Sequence, residues 1–204
     1  MTIGGLHKLS LSDYPGHCAA VVFAQGCNYC CPFCHNGGLI AAQGDLRIDE
    51  GEVFAFLLQR AGLLDAVVVS GGEPTLQPDL AQFLHRARER GFKTAIETNG
   101  SRPDVLAELL RQELLDFVAM DIKAPPDKYP LLSGVPASID DPLRSAALVA
   151  ESGVAHQFRT TWVRALLSAE DIATIRGILP AGSDYRVQEF RARDALDPAL
   201  REIG

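Results

Sequence analysis

Short apolar runs and helical stripes alternate along most of this chain. Ala19 to Ala24 (AAVVFA), Ala66 to Ser70 (AVVVS), Thr94 to Thr98, Phe117 to Lys123, Gln157 to Val163 and Tyr185 to Arg191 read as strands. The first two are near-continuous apolar runs, the pattern of strands buried on both faces. Between the runs, Glu50 to Ala61, Leu80 to Arg90, Asp104 to Glu113, Asp140 to Glu151 and Ser168 to Ile178 carry apolar residues at helical spacing, as in Val53, Phe54, Leu57 and Leu58. Gly91 and Gly153 stand where two of these helices should stop. Ser168 followed by Asp171 is a variant of the capping box. Strands and helices in alternation imply a parallel sheet with right-handed crossovers. Six such strands fall short of the eight of a closed barrel, so the expected fold class is α/β, an open (β/α)6 partial barrel with its functional loops at the strands' C-terminal ends.

Length and composition fit this scheme. With 204 residues and 47% hydrophobic content, the chain can bury one sizeable core, and a single domain over 1–204 is expected. Residues 1–18 form an entry loop or hairpin, 19–191 the partial barrel and 192–204 a short tail. Ser10 to Gly16 (SLSDYPG) ends in proline and glycine turn chemistry and should be a loop or hairpin tip. The formal charge of −7 gives no general attraction for nucleic acid. No apolar stretch reaches membrane-spanning length and the N-terminus lacks a signal-peptide core, so a cytoplasmic protein without membrane association is expected.

Four of the five cysteines lie in one loop, Gly26 to Gly38 (GCNYCCPFCHNGG). Cys27, Cys31 and Cys34 have the spacing C-x3-C-x2-C, which brings three thiolates close enough to ligate three corners of one iron–sulfur cube and leaves one iron open. Zinc is the competing reading, with His35 or Cys30 as fourth ligand, although structural zinc more often uses two separated ligand pairs. A disulfide framework suits neither the length nor the odd cysteine count. Cys30 reads as a spare thiol, and Cys18 as a small buried residue at a strand start.

Further polar groups fall just after the strands. Gly71-Gly72-Glu73-Pro74 follows the second, its glycines allowing close backbone approach and leaving carbonyls and one carboxylate toward a ligand. Alone it would most often be a turn. Glu97-Thr98-Asn99-Gly100 ends the third strand and Met120-Asp121-Ile122-Lys123 the fourth, where alternation puts Asp121 and Lys123 on one face. A structural ion pair is the plain reading of those two. His7, His17, His85 and His156 are isolated and read as structural or surface groups.

The cysteine triplet closely resembles that of radical S-adenosylmethionine enzymes. With SDYPG, CHN, GGEP, TNG and DIK, the chain is similar to the glycyl radical enzyme activating enzymes. The resemblance is strongest to their short form, the activating proteins of anaerobic ribonucleoside-triphosphate reductase, and the later FRTTWV and YRVQEF segments extend it over almost the whole chain. It implies that Cys27, Cys31 and Cys34 hold a 4Fe-4S cluster and that S-adenosylmethionine is contacted by Phe33, Asn36, Gly71, Gly72, Glu73, Thr98, Asp121, Lys123, Arg159 and Gln188. It also places a monovalent cation at Glu97, Thr98 and Asp121. The implied partners are a glycyl radical enzyme, anaerobic ribonucleoside-triphosphate reductase in the short form, and a flavodoxin or ferredoxin reductant. No general acid or base is required in such a scheme. A small-molecule enzyme such as a 7-carboxy-7-deazaguanine synthase and a non-catalytic iron–sulfur carrier or metal-binding module are the alternative readings.

Overall fold

The computed structural model of the chain describes residues 1–202. Seven strands form one sheet in strict sequence order, β1 (Ile3–Ser10), β2 (Ala19–Ala24), β3 (Ala66–Gly71), β4 (Lys93–Thr98), β5 (Phe117–Asp121), β6 (Ala155–Trp162) and β7 (Tyr185–Glu189). Strands β2 to β7 run parallel, as the six-strand expectation requires, and β1 pairs antiparallel with β2. The N-terminal hairpin is thus longer than its predicted tip. Its first arm escapes a periodicity reading because IGGLHKLS has two adjacent glycines and an exposed stretch at His7 to Leu9.

The helices are α1 (Glu50–Gln59), α2 (Leu80–Arg88), α3 (Pro103–Arg111), α4 (Tyr129–Ser133), α5 (Asp140–Ser152), α6 (Ala169–Ile178) and α7 (Pro198–Arg201). Helix α6 opens with the expected reciprocal cap between Ser168 and Asp171. Helix α5 stops at Gly153, whose left-handed backbone ends the helix. The expected tail contains α7, and the short α4 follows the proline pair after β5. Strand β5 stops at Asp121 rather than Lys123, close to the Pro125-Pro126 pair, although Ile122 still donates to the Arg159 carbonyl of β6.

Side chains alternate across the sheet and build two layers. On the helix side, Val67, Val69, Ile96, Val118, Met120 and Phe158 pack with Leu57, Phe83, Leu84, Leu106, Leu109, Val149 and Ile175. Fully burying each large apolar side chain contributes roughly 1.5–3 kcal/mol, so this layer carries most of the fold's stability. On the concave side, Ala19, Val21, Ala66, Val68, Ala95, Phe117 and Ala119 are mostly small, which leaves room for the sheet to curl. Tyr14, from the predicted hairpin tip, stacks on Phe117 at 5.0 Å and closes that layer from below. Above it, toward the strands' C-terminal ends, the concave face turns polar.

Candidate active site

The cysteine loop follows β2 directly and is fixed by its backbone. Gly26 and Cys27 donate to the carbonyls of Leu39 and Ile40, Cys30 to that of Ser133, and Asp197 to that of Pro32, all at 2.8–3.0 Å. Two glycines let other segments press against this loop. A Cβ on Gly72 would lie 2.2 Å from the Gly26 carbonyl oxygen, and one on Gly134 would lie 1.9 Å from that of Cys30. Gly134 also has φ 71°, a left-handed backbone that glycine adopts freely.

Inside the loop, Cys27, Cys31 and Cys34 line one cavity of about 300 Å³, together with Tyr29, Phe33, His35 and Asn36. Cys30 points out and is exposed. Cys18 is half-buried rather than buried, since it sits one residue before β2, where its N–H donates to Asp65. Burial pushes the Cys31 thiol up to about 11, and the neighbouring Cys34 and Cys27 thiols add to the effect against the opposing charge of Lys123. Burial also raises Cys27 and Cys34. The unloaded thiols are therefore protonated at neutral pH, and metal binding must displace protons. Its pKa of about 11 against the ordinary 9.0 leaves Cys31 with about a hundredfold less thiolate at pH 8. Iodoacetamide treatment of metal-free protein at pH 8 is expected to label Cys30 first and Cys31 last, with Cys31 labelling accelerating as pH rises toward 11. Peptide mapping by mass spectrometry checks the order, and equal rates at Cys30 and Cys31 would contradict it.

The rest of the cavity comes from the strand ends. Ser70, Glu97, Asp121, Arg159, Thr161 and Gln188 are the concave-side residues that follow the small apolar layer, and all six line it. Register explains their convergence, because Asp121 lies beside Arg159, and Thr161 beside Gln188, on neighbouring strands. Arg159 donates from Nη1 to Glu97 Oε1 at 2.6 Å and from Nε to Asp121 Oδ1 at 2.9 Å, and Lys123 donates to Asp121 Oδ2 at 3.0 Å. Burial alone would raise the Asp121 carboxyl, but the Arg159 and Lys123 charges outweigh it and hold Asp121 well below the usual carboxylate range. The plain ion-pair reading of Asp121 and Lys123 is therefore correct as geometry. Both residues nonetheless border the cavity.

Gly71 and Gly72 line the cavity, and Asn36 Nδ2 donates to the Gly71 carbonyl at 3.4 Å. Glu73 does not face a ligand as expected. Its carboxylate is fully buried and accepts from Thr75 N, Thr75 Oγ1, Thr98 Oγ1 and Asn99 N at 2.5–3.0 Å. It braces the crevice from behind, because four donors outcompete an exposed position. Thr98 lines the cavity while its hydroxyl is committed to Glu73. Phe33 is buried against the loop, with Lys123 Nζ 6.0 Å from its ring centroid. His35 is held by the Arg191 carbonyl at 2.8 Å and stacks on Phe190.

Sequence reasoning did not single out Ser70, Tyr29 or Asn99. Ser70 donates to Glu97 Oε2 at 2.6 Å, and Asn99 Nδ2 donates to Asn28 Oδ1 at 3.0 Å, tying the turn after β4 to the cysteine loop. Counting along β3 by twos from Val68 would have placed Ser70 on the concave face. A second cleft of about 680 Å³ lies beside β6 and β7, lined by Trp162, Arg164, Val187, Gln188 and Phe190. It holds no cysteine and shares Gln188 with the first.

A family model described as the radical SAM superfamily matches residues 21–172, a span that runs from β2 through the cysteine loop into α6. The chain belongs to that superfamily. Among curated relatives of this radical SAM protein, a Methanocaldococcus jannaschii protein provisionally named a glycyl-radical enzyme activating enzyme is 34% identical over 208 residues, covering 98% of this chain and 85% of its own length. The pyruvate formate-lyase-activating enzyme of Clostridium pasteurianum is 34% identical over 143 residues, 66% of this chain and 59% of that enzyme. Among solved structures, Streptococcus suis SuiB bound to precursor peptide SuiA superposes with TM-score 0.65 and 18% identity over 90% of this chain and 44% of SuiB. At that identity the likeness is one of fold, and it bears out the open partial barrel.

Radical SAM proteins use S-adenosylmethionine and a 4Fe-4S cluster, and the donor set here fits both. Among the described residues, no three His, Cys, Asp or Glu side chains converge on a point as one metal ion requires. The three thiols instead surround a shared cavity, which suits a cube better than a single zinc ion. A cavity bordered by Gly71, Gly72, an acidic Asp121 and a cationic Lys123 offers partners to a zwitterionic sulfonium cofactor.

Proposed function

We propose that this single radical SAM domain is a glycyl radical enzyme activating enzyme and that its partner is an anaerobic ribonucleoside-triphosphate reductase. The observation that carries the reading is the convergence of Cys27, Cys31 and Cys34 with the polar ends of β3 to β7 on one cavity. The relative matching 98% of the chain favours the activase branch. Bound there, the cluster and S-adenosylmethionine would supply one-electron reductive chemistry and hydrogen abstraction.

The protein's part is position and electrostatics. Cys27, Cys31 and Cys34 hold the cluster. Gly71 and Gly72 would hold the cofactor's amino group through their carbonyls, Lys123 would pair with its carboxylate, and Asp121 would serve the sulfonium and ribose. Phe33 and Gln188 would complete the adenosine side, Asn36 would lie at the cluster or cofactor, Thr98 shapes the crevice, and Glu73 acts through Thr98 and Asn99. Strand β7 is mostly exposed, so a glycine-bearing loop of a large partner has access past the sheet edge. A flavodoxin or ferredoxin would supply the electron, in the cytoplasm.

The test is anaerobic reconstitution with iron and sulfide, reduction, and addition of S-adenosylmethionine with the reductase from the same source. Release of 5′-deoxyadenosine together with the doublet of a glycyl radical in electron paramagnetic resonance is the expected result. Cleavage without a protein radical would refute the activase reading, and a reduced cluster without cleavage would refute radical chemistry altogether.

A further inference from the structure

The three groups expected to hold a monovalent cation are already engaged within the protein. Glu97 accepts from Arg159 on Oε1 and from Ser70 on Oε2. Asp121 accepts from Arg159 on Oδ1 and from Lys123 on Oδ2. The Thr98 hydroxyl donates to Glu73 and accepts from the Gly100 N–H at 3.1 Å. Every carboxylate oxygen of this set already has a donor, and two carboxylates meet two fixed cations, so the local charge balances without an added ion.

The arrangement is built into the sheet. Arg159 lies on the concave face of β6 directly beside Asp121, and its side chain is 12% exposed. Its guanidinium spans the gap from Asp121 on β5 to Glu97 on β4, bridging the two carboxylates through separate N–H donors of one planar group. A potassium or sodium ion bridging Glu97 and Asp121 would compete with the guanidinium for both carboxylates and sit beside its charge. Coulomb repulsion in a half-buried cavity opposes that step.

We propose that the Arg159 guanidinium takes the place of the monovalent cation, so that this chain neither binds nor requires potassium or sodium at Glu97, Thr98 and Asp121. Arg159 is a positioning residue in this scheme, since it holds the two carboxylates at the spacing the cofactor meets. The inference rests on the radical SAM reading for its purpose but not for its geometry, and its test therefore begins without cluster or cofactor.

The first readout is thallium-205 NMR and thermal melting of metal-free protein in potassium, sodium or choline chloride at equal ionic strength. Wild type is expected to show no specific thallium signal and the same melting temperature in all three salts. Arg159→Met leaves Glu97 and Asp121 short of one positive charge. It should melt lower in choline and recover in potassium, with thallium binding appearing. The second readout is S-adenosylmethionine cleavage by reconstituted enzyme, equal in choline and potassium for wild type. For Arg159→Met it should be about tenfold faster in potassium, the scale of one lost charge partner. Specific thallium binding by wild type, or stimulation of wild type by potassium over choline, would overturn the proposal. Should Arg159→Met fail to fold, the wild-type measurements still decide. Absence of cleavage in every salt would count against the radical SAM reading and leave the cation measurements standing.

Discussion

Cys31→Ala is expected to abolish cluster assembly, whereas Cys30→Ala, one residue earlier, is expected to retain it. The two adjacent thiols differ in where the backbone sends them. Cys30 is clamped through its N–H to Ser133 and its side chain is exposed, while Cys31 is buried beside Cys27 and Cys34. A cube held by three thiolates keeps little affinity on two, because its ligand set was already one short of four. Iron and sulfide analysis with visible absorption after anaerobic reconstitution checks the contrast. About four irons per chain for wild type and Cys30→Ala, and none retained by Cys31→Ala after desalting, is the expected pattern. A Cys31→Ala protein that keeps its iron, or a Cys30→Ala protein that loses it, would remove the triplet as ligand set.

Glu73→Gln carries the second largest effect, and it acts on the fold. Oε1 of Glu73 accepts from the Thr75 N–H and Oε2 from the Asn99 N–H, and neither backbone donor can turn away. Whichever way a glutamine amide is oriented, its NH2 faces one of those N–H groups in a fully buried position. One broken charge-assisted bond and one buried repulsive contact cost about 3 kcal/mol. For a chain of this size that lowers the melting temperature by about 6–12 °C. The damage should spread along Asn99 to Asn28, and so into the cysteine loop. Differential scanning calorimetry of the metal-free variant measures the shift, and a melting temperature unchanged from wild type would show that the brace is dispensable.

The parallel strands and most helices were readable because each buries apolar side chains at its own period. Val67 to Val69 and Val53 to Leu57 are cases where local pattern and final packing agree. Strand β1 was not, since its glycines and exposed residues are held by pairing with β2 rather than by burial. The cysteine triplet needed only spacing. Glu73 needed more, because a carboxylate in a glycine turn can serve a ligand or the turn itself, and only the positions of Thr98 and Asn99 decide between them. Arg159 stood among the residues that the resemblance implied, yet its grip on both Glu97 and Asp121 depends on the register of three strands, which no single stretch contains. Cys18 shows the opposite limit, where a residue type expected inside sits half-open at a strand's margin.

Strand order that follows chain order also sets a timetable for synthesis. Each new strand pairs with the one just made, so the sheet can grow from a translating ribosome without waiting for distant partners. The cysteine loop emerges with β2, but its clamps at Ser133, Arg191 and Asp197 are among the later residues to appear. The nascent thiols are therefore bare through most of synthesis, and iron delivery before the last clamp closes would meet an unshaped loop.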